Sequence, residues 1–198
     1  MKPPCKRING GKDMTLKFTV TEQDYINFNL HHRKTSKTGK RGKIANILIL
    51  IPAFFLGFWL ANRIDDEPVD VYFFVFFGIM AAIALPLLFL LFTFLDKLIV
   101  RWTAKSMLKD GKNNDFLGEQ TVIFHEDCIE DINAHSQSRV PYTSIEKINF
   151  GYDCYYIYMG AIKANIIPLS AFADDAQRQE FLELLKQRTG LDAVHSKK

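Results

Sequence analysis

The chain is short of the residues that chemistry needs. Its 198 residues hold three cysteines and five histidines. Cys5, Cys128 and Cys154 stand far apart and form no C-x-x-C pair, which excludes a paired-thiol zinc site or a dithiol redox motif. His31, His32, His125, His135 and His195 fall in no H-E-x-x-H pattern. Thr38 to Lys43 has glycines and lysines but not the spacing of a phosphate loop, and there is no G-x-S-x-G elbow. The sequence therefore offers no catalytic residue, no metal ligand set and no cofactor site. Two further absences say more. Acidic residues are missing from His31 to Lys43, and charged residues are missing from Ile44 to Ala61 and again from Val71 to Leu95.

Those two uncharged runs predict transmembrane helices. At about 1.5 Å per residue they would be roughly 27 and 37 Å long, against about 30 Å for the hydrocarbon core of a bilayer. Soluble core helices are rarely apolar on every face over such lengths. The flanks set the orientation. Arg33, Lys34, Lys37, Lys40, Arg41 and Lys43 precede the first run, and Lys97, Arg101, Lys105, Lys109 and Lys112 follow the second. The connection 62–70 is the reverse, with Arg63 alone against Asp65, Asp66, Glu67 and Asp70. Basic residues near span ends stay on the cytoplasmic side, so both termini are expected in the cytoplasm with a small acidic loop outside. Trp59 and Tyr72 fall at the outer ends and Trp102 at the inner one, where aromatic belts sit.

The basic stretch at Arg33, Lys34, Lys37, Lys40, Arg41 and Lys43 is a topology signal, and the same residues are candidates for contact with anionic headgroups. It has no interleaved aromatics, which argues against nucleic acid. Small residues suggest how the spans meet. Ala53, Gly57 and Ala61 recur every four residues, and Gly78 and Ala82 do the same ahead of Pro86. Such a seam lets helix backbones approach closely in lipid, within one chain or between copies in a homo-oligomer.

The remaining segments are polar. Residues 1–13 contain Pro3-Pro4 and Gly10-Gly11, have no hydrophobic pattern and are expected to be disordered. Residues 14–43 read as a lead-in: Thr15 to Val20 alternates like a strand, and Thr21, with Asp24 three residues on, starts a helix. After the second span, Leu95, Leu98, Ile99 and Trp102 keep a helical stripe, so the helix is expected to run to about residue 108 before Gly111, Asn113 and Asn114 close it. That stripe suits either the headgroup boundary or packing on the soluble domain.

Residues 115–190 turn to β. Strands are expected at Glu119 to His125, Cys128 to Ile132, Ile145 to Phe150, Tyr155 to Met159 and Ala164 to Leu169, with Asn133 to Ser138 as a polar loop. A final helix has Asp174 and Asp175 in its first turn, Lys186 and Arg188 in its last, and Gly190 at its end. His125-Glu126-Asp127 reads as a surface hairpin turn. The tyrosines of Tyr152 to Tyr158 either pack on both faces of a strand or line a groove. A meander of about five curved strands closed by one C-terminal helix is the plan of a small antiparallel β-barrel, as in pleckstrin-homology-like domains. With the soluble parts in the cytoplasm, the three cysteines are expected as free thiols.

Several local motifs are carried together: Phe18 to Tyr25 (F-T-V-T-E-Q-D-Y), Val122 to Ile129 (V-I-F-H-E-D-C-I), Tyr142 to Ile148 (Y-T-S-I-E-K-I), Tyr155 to Tyr158 (Y-Y-I-Y) and Ile166 to Phe172 (I-I-P-L-S-A-F). With two intervening spans, the chain resembles the YcxB-like family of bacterial membrane proteins. Tyr142 stands where the family has Trp, and Leu169 where it has a basic residue after Pro. The resemblance implies an integral membrane α+β protein of the bacterial inner membrane with a β-rich cytoplasmic domain. It brings no activity and so no catalytic residues. The expectation is a non-enzymatic module: a two-helix transmembrane hairpin holding a protein- or lipid-binding domain at the bilayer. The alternative is a small transport or channel subunit acting as an oligomer.

Overall fold

The structure is a computed structural model and describes residues 13–64, 71–109, 117–160 and 163–195. The disorder expected of residues 1–12, the acidic connection 65–70 and the helix stop at Gly111, Asn113 and Asn114 lie outside those residues. The chain divides into two units. One is β-rich and combines the residues up to His32 with those from Trp102 on; the other is helical, Arg33–Arg101.

In the β-rich unit the first strand, β1 (Met14–Val20), is strictly two-sided. Met14, Leu16, Phe18 and Val20 are buried, while Thr15, Lys17 and Thr19 are exposed. That period of two is what a half-buried strand requires. β1 pairs antiparallel with β2 (Gly118–Phe124), in a register running from Met14 opposite Phe124 to Val20 opposite Gly118. β3 (Cys128–Asn133) and β4 (Gln137–Pro141) complete a sheet of order β1-β2-β3-β4. A second sheet has the order β7-β6-β5-β8, from β5 (Lys147–Gly151), β6 (Cys154–Tyr158), β7 (Ala164–Pro168) and β8 (Ala193–His195). All its pairings are antiparallel except β8 on β5, which is parallel.

The expected closed barrel is not formed; the strands divide between two four-stranded sheets. The break falls between β4 and β5. Pro141 has no N–H for a ladder, and a 3-10 turn over Tyr142–Ser144 re-aims the chain there. The two sheets enclose one core with the C-terminal helix: Leu16, Val122, Phe124, Ile129, Ile148, Ile157 and Ile167 meet Phe181 and Leu185. Phe181 stacks edge-on to Phe124 at 5.5 Å and to Tyr155 at 5.4 Å. That helix appears below as α4 (Asp175–Thr189). Its N-cap Asp174 accepts from the Gln177 amide at 2.7 Å. Gly190 closes it with φ 71°, a left-handed position that glycine occupies without steric cost.

α1 (Glu22–Thr35) begins with a reciprocal cap, in which the Thr21 amide donates to Asp24 at 2.9 Å and the Asp24 amide donates to the Thr21 hydroxyl at 3.2 Å. In the helical unit follow α2 (Lys37–Ile64) and the start of α3 (Val71–Lys109). Among the described residues one helix is long and apolar enough to cross a membrane, Phe74–Lys109 within α3. Its most apolar window has a mean hydropathy of 2.7 and none of it is buried. The architecture shown is thus a mixed helix and antiparallel-sheet fold with one candidate membrane helix. α2 starts earlier than its uncharged run, so Lys37, Lys40 and Arg41 lie in its first turns. Gly39 comes so close to the Arg33 carbonyl that a Cβ there would collide with it.

Candidate functional site

The titratable groups that could carry chemistry collect at two places in the β-rich unit. The first surrounds His125, just after β2. Its Nδ1 lies 3.2 Å from Asp13 Oδ2 and its Nε2 lies 2.9 Å from Glu130 Oε2 on β3. The other Glu130 oxygen accepts from Arg139 Nε and Gln137 Nε2, both on β4 and both at 2.6 Å. The Tyr142 hydroxyl donates to the His125 carbonyl at 3.0 Å. His125 and Glu130 are each 7% exposed. The hydrogen bond from His125 holds the Glu130 carboxyl below the usual range; burial opposes it, and Arg139 and Gln137 reinforce it. Burial pushes the Tyr142 hydroxyl up.

The expected surface turn holds at Glu126 and Asp127, which are exposed, whereas His125 is buried in a polar knot. It ties the start of β1, the β2–β3 turn, β3 and β4 together. Both ring nitrogens already face carboxylates on opposite sides, so neither is presented to a substrate or a metal ion. Among the described residues no three His, Cys, Asp or Glu side chains converge as a metal site.

The second place is the outer face of the β7-β6-β5 sheet, where α1 packs. His31 is 1% exposed, stands 4.7 Å from the Tyr156 ring and takes a hydrogen bond at Nε2 from Asn149 at 3.2 Å. Phe28 meets Tyr156 at 5.6 Å and Tyr158 at 6.0 Å. Lys147 lies over the Tyr158 ring at 4.1 Å. Burial, and then Lys147, hold the His32 ring below its usual value. Cys154 donates weakly to Asp24 at 3.5 Å, and burial pushes its thiol up to about 12, which removes it as a nucleophile. The tyrosines form no groove. Tyr155 points into the core, and Tyr156 and Tyr158 point into the α1 contact, so they pack on both faces of β6.

Cys154 is free, but Cys128 is disulfide-bonded to a partner outside the described residues, which corrects the expectation of a free thiol there. An open groove of about 250 Å³ runs between α4 and β8 over Ile148, Leu182 and Leu185, crossed by the exposed Lys186–Asp192 pair at 2.8 Å.

The residues singled out as lipid contacts divide. Lys34, Lys37, Lys40 and Arg41 are exposed, whereas Arg33 grips the Asp96 carboxylate with Nη2 at 2.7 Å and Nε at 3.1 Å. The side chain of Lys43 lies outside the described residues. At the glycines of the small-residue seam, a Cβ added at Gly57 or Gly78 would meet nothing within 4 Å among the described residues. Ala82 lies on the same helix as Gly78, while the side chains of Ala53 and Ala61 are outside the described residues. At the end of α3 within the β-rich unit, Ala104 and Leu108 are buried and Trp102 is 74% exposed.

Residues 124–185 match the family model described as YcxB-like protein, from the end of β2 to Leu185 of α4. That segment is similar to the YcxB-like family, as the motifs in it indicated. The comparisons with curated proteins and with solved structures found no match.

Proposed function

We propose that this chain is a non-enzymatic, multi-pass protein of the bacterial inner membrane that holds its YcxB-like β-rich unit at the cytoplasmic face to engage a protein or lipid partner. The observation that carries it is the pairing of β1 with β2. Strands hydrogen-bonded along their length lie on the same side of a membrane, so the chain between Val20 and Gly118 crosses an even number of times. One crossing by α3 alone would violate that parity. α2, 28 residues long and so roughly 42 Å as a helix, supplies the second crossing. The chemistry-bearing side chains of the β-rich unit support a binding role over a catalytic one: His125, Glu130, His31 and Cys154 are all committed to internal contacts.

The Cys128 disulfide favours a second reading, because disulfides persist in oxidising compartments. In it the same hairpin is inverted and the β-rich unit faces outward. The Lys/Arg asymmetry favours the first. Alkaline phosphatase fused after Asp66 should be active, and fusions at Thr15 or Lys198 inactive. Activity at Thr15 and Lys198 with none after Asp66 would establish the inverted form. Activity at only one terminus would end both.

A further inference from the structure

The last turns of α3 carry a row of exposed cations and one exposed indole. Lys97, Arg101, Lys105 and Lys109 recur every four residues, and all are exposed. Like charges at that spacing repel one another along a helix. The acidic neighbours do little to offset this. Asp96 is taken by Arg33, and Glu22 reaches Lys105 only at 3.6 Å between half-exposed side chains. Beside this ridge stands Trp102, 74% exposed, while Ala104 at 1% and Leu108 at 6% turn the opposite side of the helix into the β-rich unit. The helix end thus packs on its domain through Ala104 and Leu108 and leaves the indole and the cations exposed.

The occupant follows from the length of the same helix. Tyr72, 80% exposed, marks its far end. From Tyr72 to Trp102 is roughly 45 Å at about 1.5 Å per residue, and a bilayer with its headgroup regions is about 40–45 Å thick. Indole and phenol rings favour those two boundaries. A water-soluble acidic protein would match the cations but not the indole one turn along from an uninterrupted lipid-length helix.

We propose that Trp102, with Arg101, Lys105 and Lys109, forms a seat for anionic phospholipid headgroups at the bilayer surface. The seat rests on the membrane-anchor reading above. It differs from the basic stretch singled out in the sequence, one member of which, Arg33, is spent on Asp96.

The test uses the full chain with Trp59→Phe, which leaves Trp102 as the single tryptophan, reconstituted into phosphatidylcholine vesicles with and without phosphatidylglycerol. Flotation reports insertion. Emission from Trp102 reports its depth, through quenching by lipids brominated near the headgroup end of the acyl chain. Spin-labelled phosphatidylglycerol reports lipid held at the protein. The expected result is a floating chain whose Trp102 is quenched by the brominated lipid and shielded from aqueous iodide. Replacing Arg101, Lys105 and Lys109 by Gln should lower the relative affinity for phosphatidylglycerol over phosphatidylcholine at least about fivefold. A chain that floats while Trp102 stays open to iodide and untouched by brominated lipid overturns the seat and leaves the anchor standing. So does a triple variant that holds phosphatidylglycerol as well as the parent. A chain that does not float overturns both.

Discussion

β1 and α3 use the same apolar side chains to opposite ends. In β1 Leu16 and Phe18 are 1% and 8% exposed, and every second residue is polar. In α3 Leu90 and Phe94 are 63% and 59% exposed, and no polar face relieves them. A pattern with a period of two needs water on one side and a core on the other. A helix stretch that is apolar all round and leaves such side chains uncovered suits a surrounding that is itself apolar. Truncating the same kind of side chain should therefore cost very different amounts in the two regions.

The largest contrast is expected from aromatic truncation. Phe181→Ala removes a fully buried ring that touches Phe124, Tyr155 and Phe172, and should destabilise the β-rich unit by about 3–5 kcal/mol. Phe94→Ala in α3 should shift the same transition by less than about 0.5 kcal/mol. Denaturant unfolding of the full chain in micelles, followed by the β signal in circular dichroism, reads both. Equal effects would erase the distinction between the two regions.

Next in size is the buried knot. Glu130→Ala leaves His125 and Arg139 without their acceptor and should cost about 1–3 kcal/mol. Its pH signature has a definite sign. A carboxyl whose pKa is lowered by folding binds its proton more readily when unfolded. Its stabilisation is therefore complete above the ordinary glutamate value and is lost as pH falls through the lowered one. Melting curves from neutral to acid should show that loss, and Glu130→Gln should flatten it.

Asp174→Ala deletes the cap of α4 and should cost about 0.5–2 kcal/mol in the same unfolding assay, with no effect on α3. The smallest change is expected at His32, whose ring folding keeps below its ordinary value of 6.5. The unfolded chain binds that proton first, so the docking of α1 is fully stable above 6.5 and weakens as pH falls below it. Backbone amide shifts of α1 that move as pH is lowered below 6.5 would display it, and His32→Phe should remove the slope.

The strands with clean alternation were legible from sequence, and so was α4, because Asp174, Lys186 and Gly190 punctuate it. β4 was not legible: it lies partly within the polar run ending at Ser138 and has no alternation of its own. β8 has three residues, too few to show a period. Whether the strands close into a barrel depends on pairings far apart in the chain, and local pattern does not encode them. His125 was read as exposed because three titratable residues in a row suit a turn. Its ring is held by Asp13 and Glu130, which only the β1–β2 and β2–β3 registers bring to it. The divided role of the basic stretch was equally hidden, since Arg33 finds Asp96 across the whole of both uncharged runs.

The β1–β2 ladder also orders events in time. β1 leaves the ribosome early, and its partner follows only after both long helices have been made. Throughout that interval Met14, Leu16, Phe18 and Val20 have no sheet to join. The domain therefore cannot mature before both long helices have been made, and a chain stalled in α2 or α3 presents a bare apolar strand with a free edge. Such a strand invites pairing with other chains, so quality control of this protein is expected to act on the unfinished chain before it acts on the finished fold.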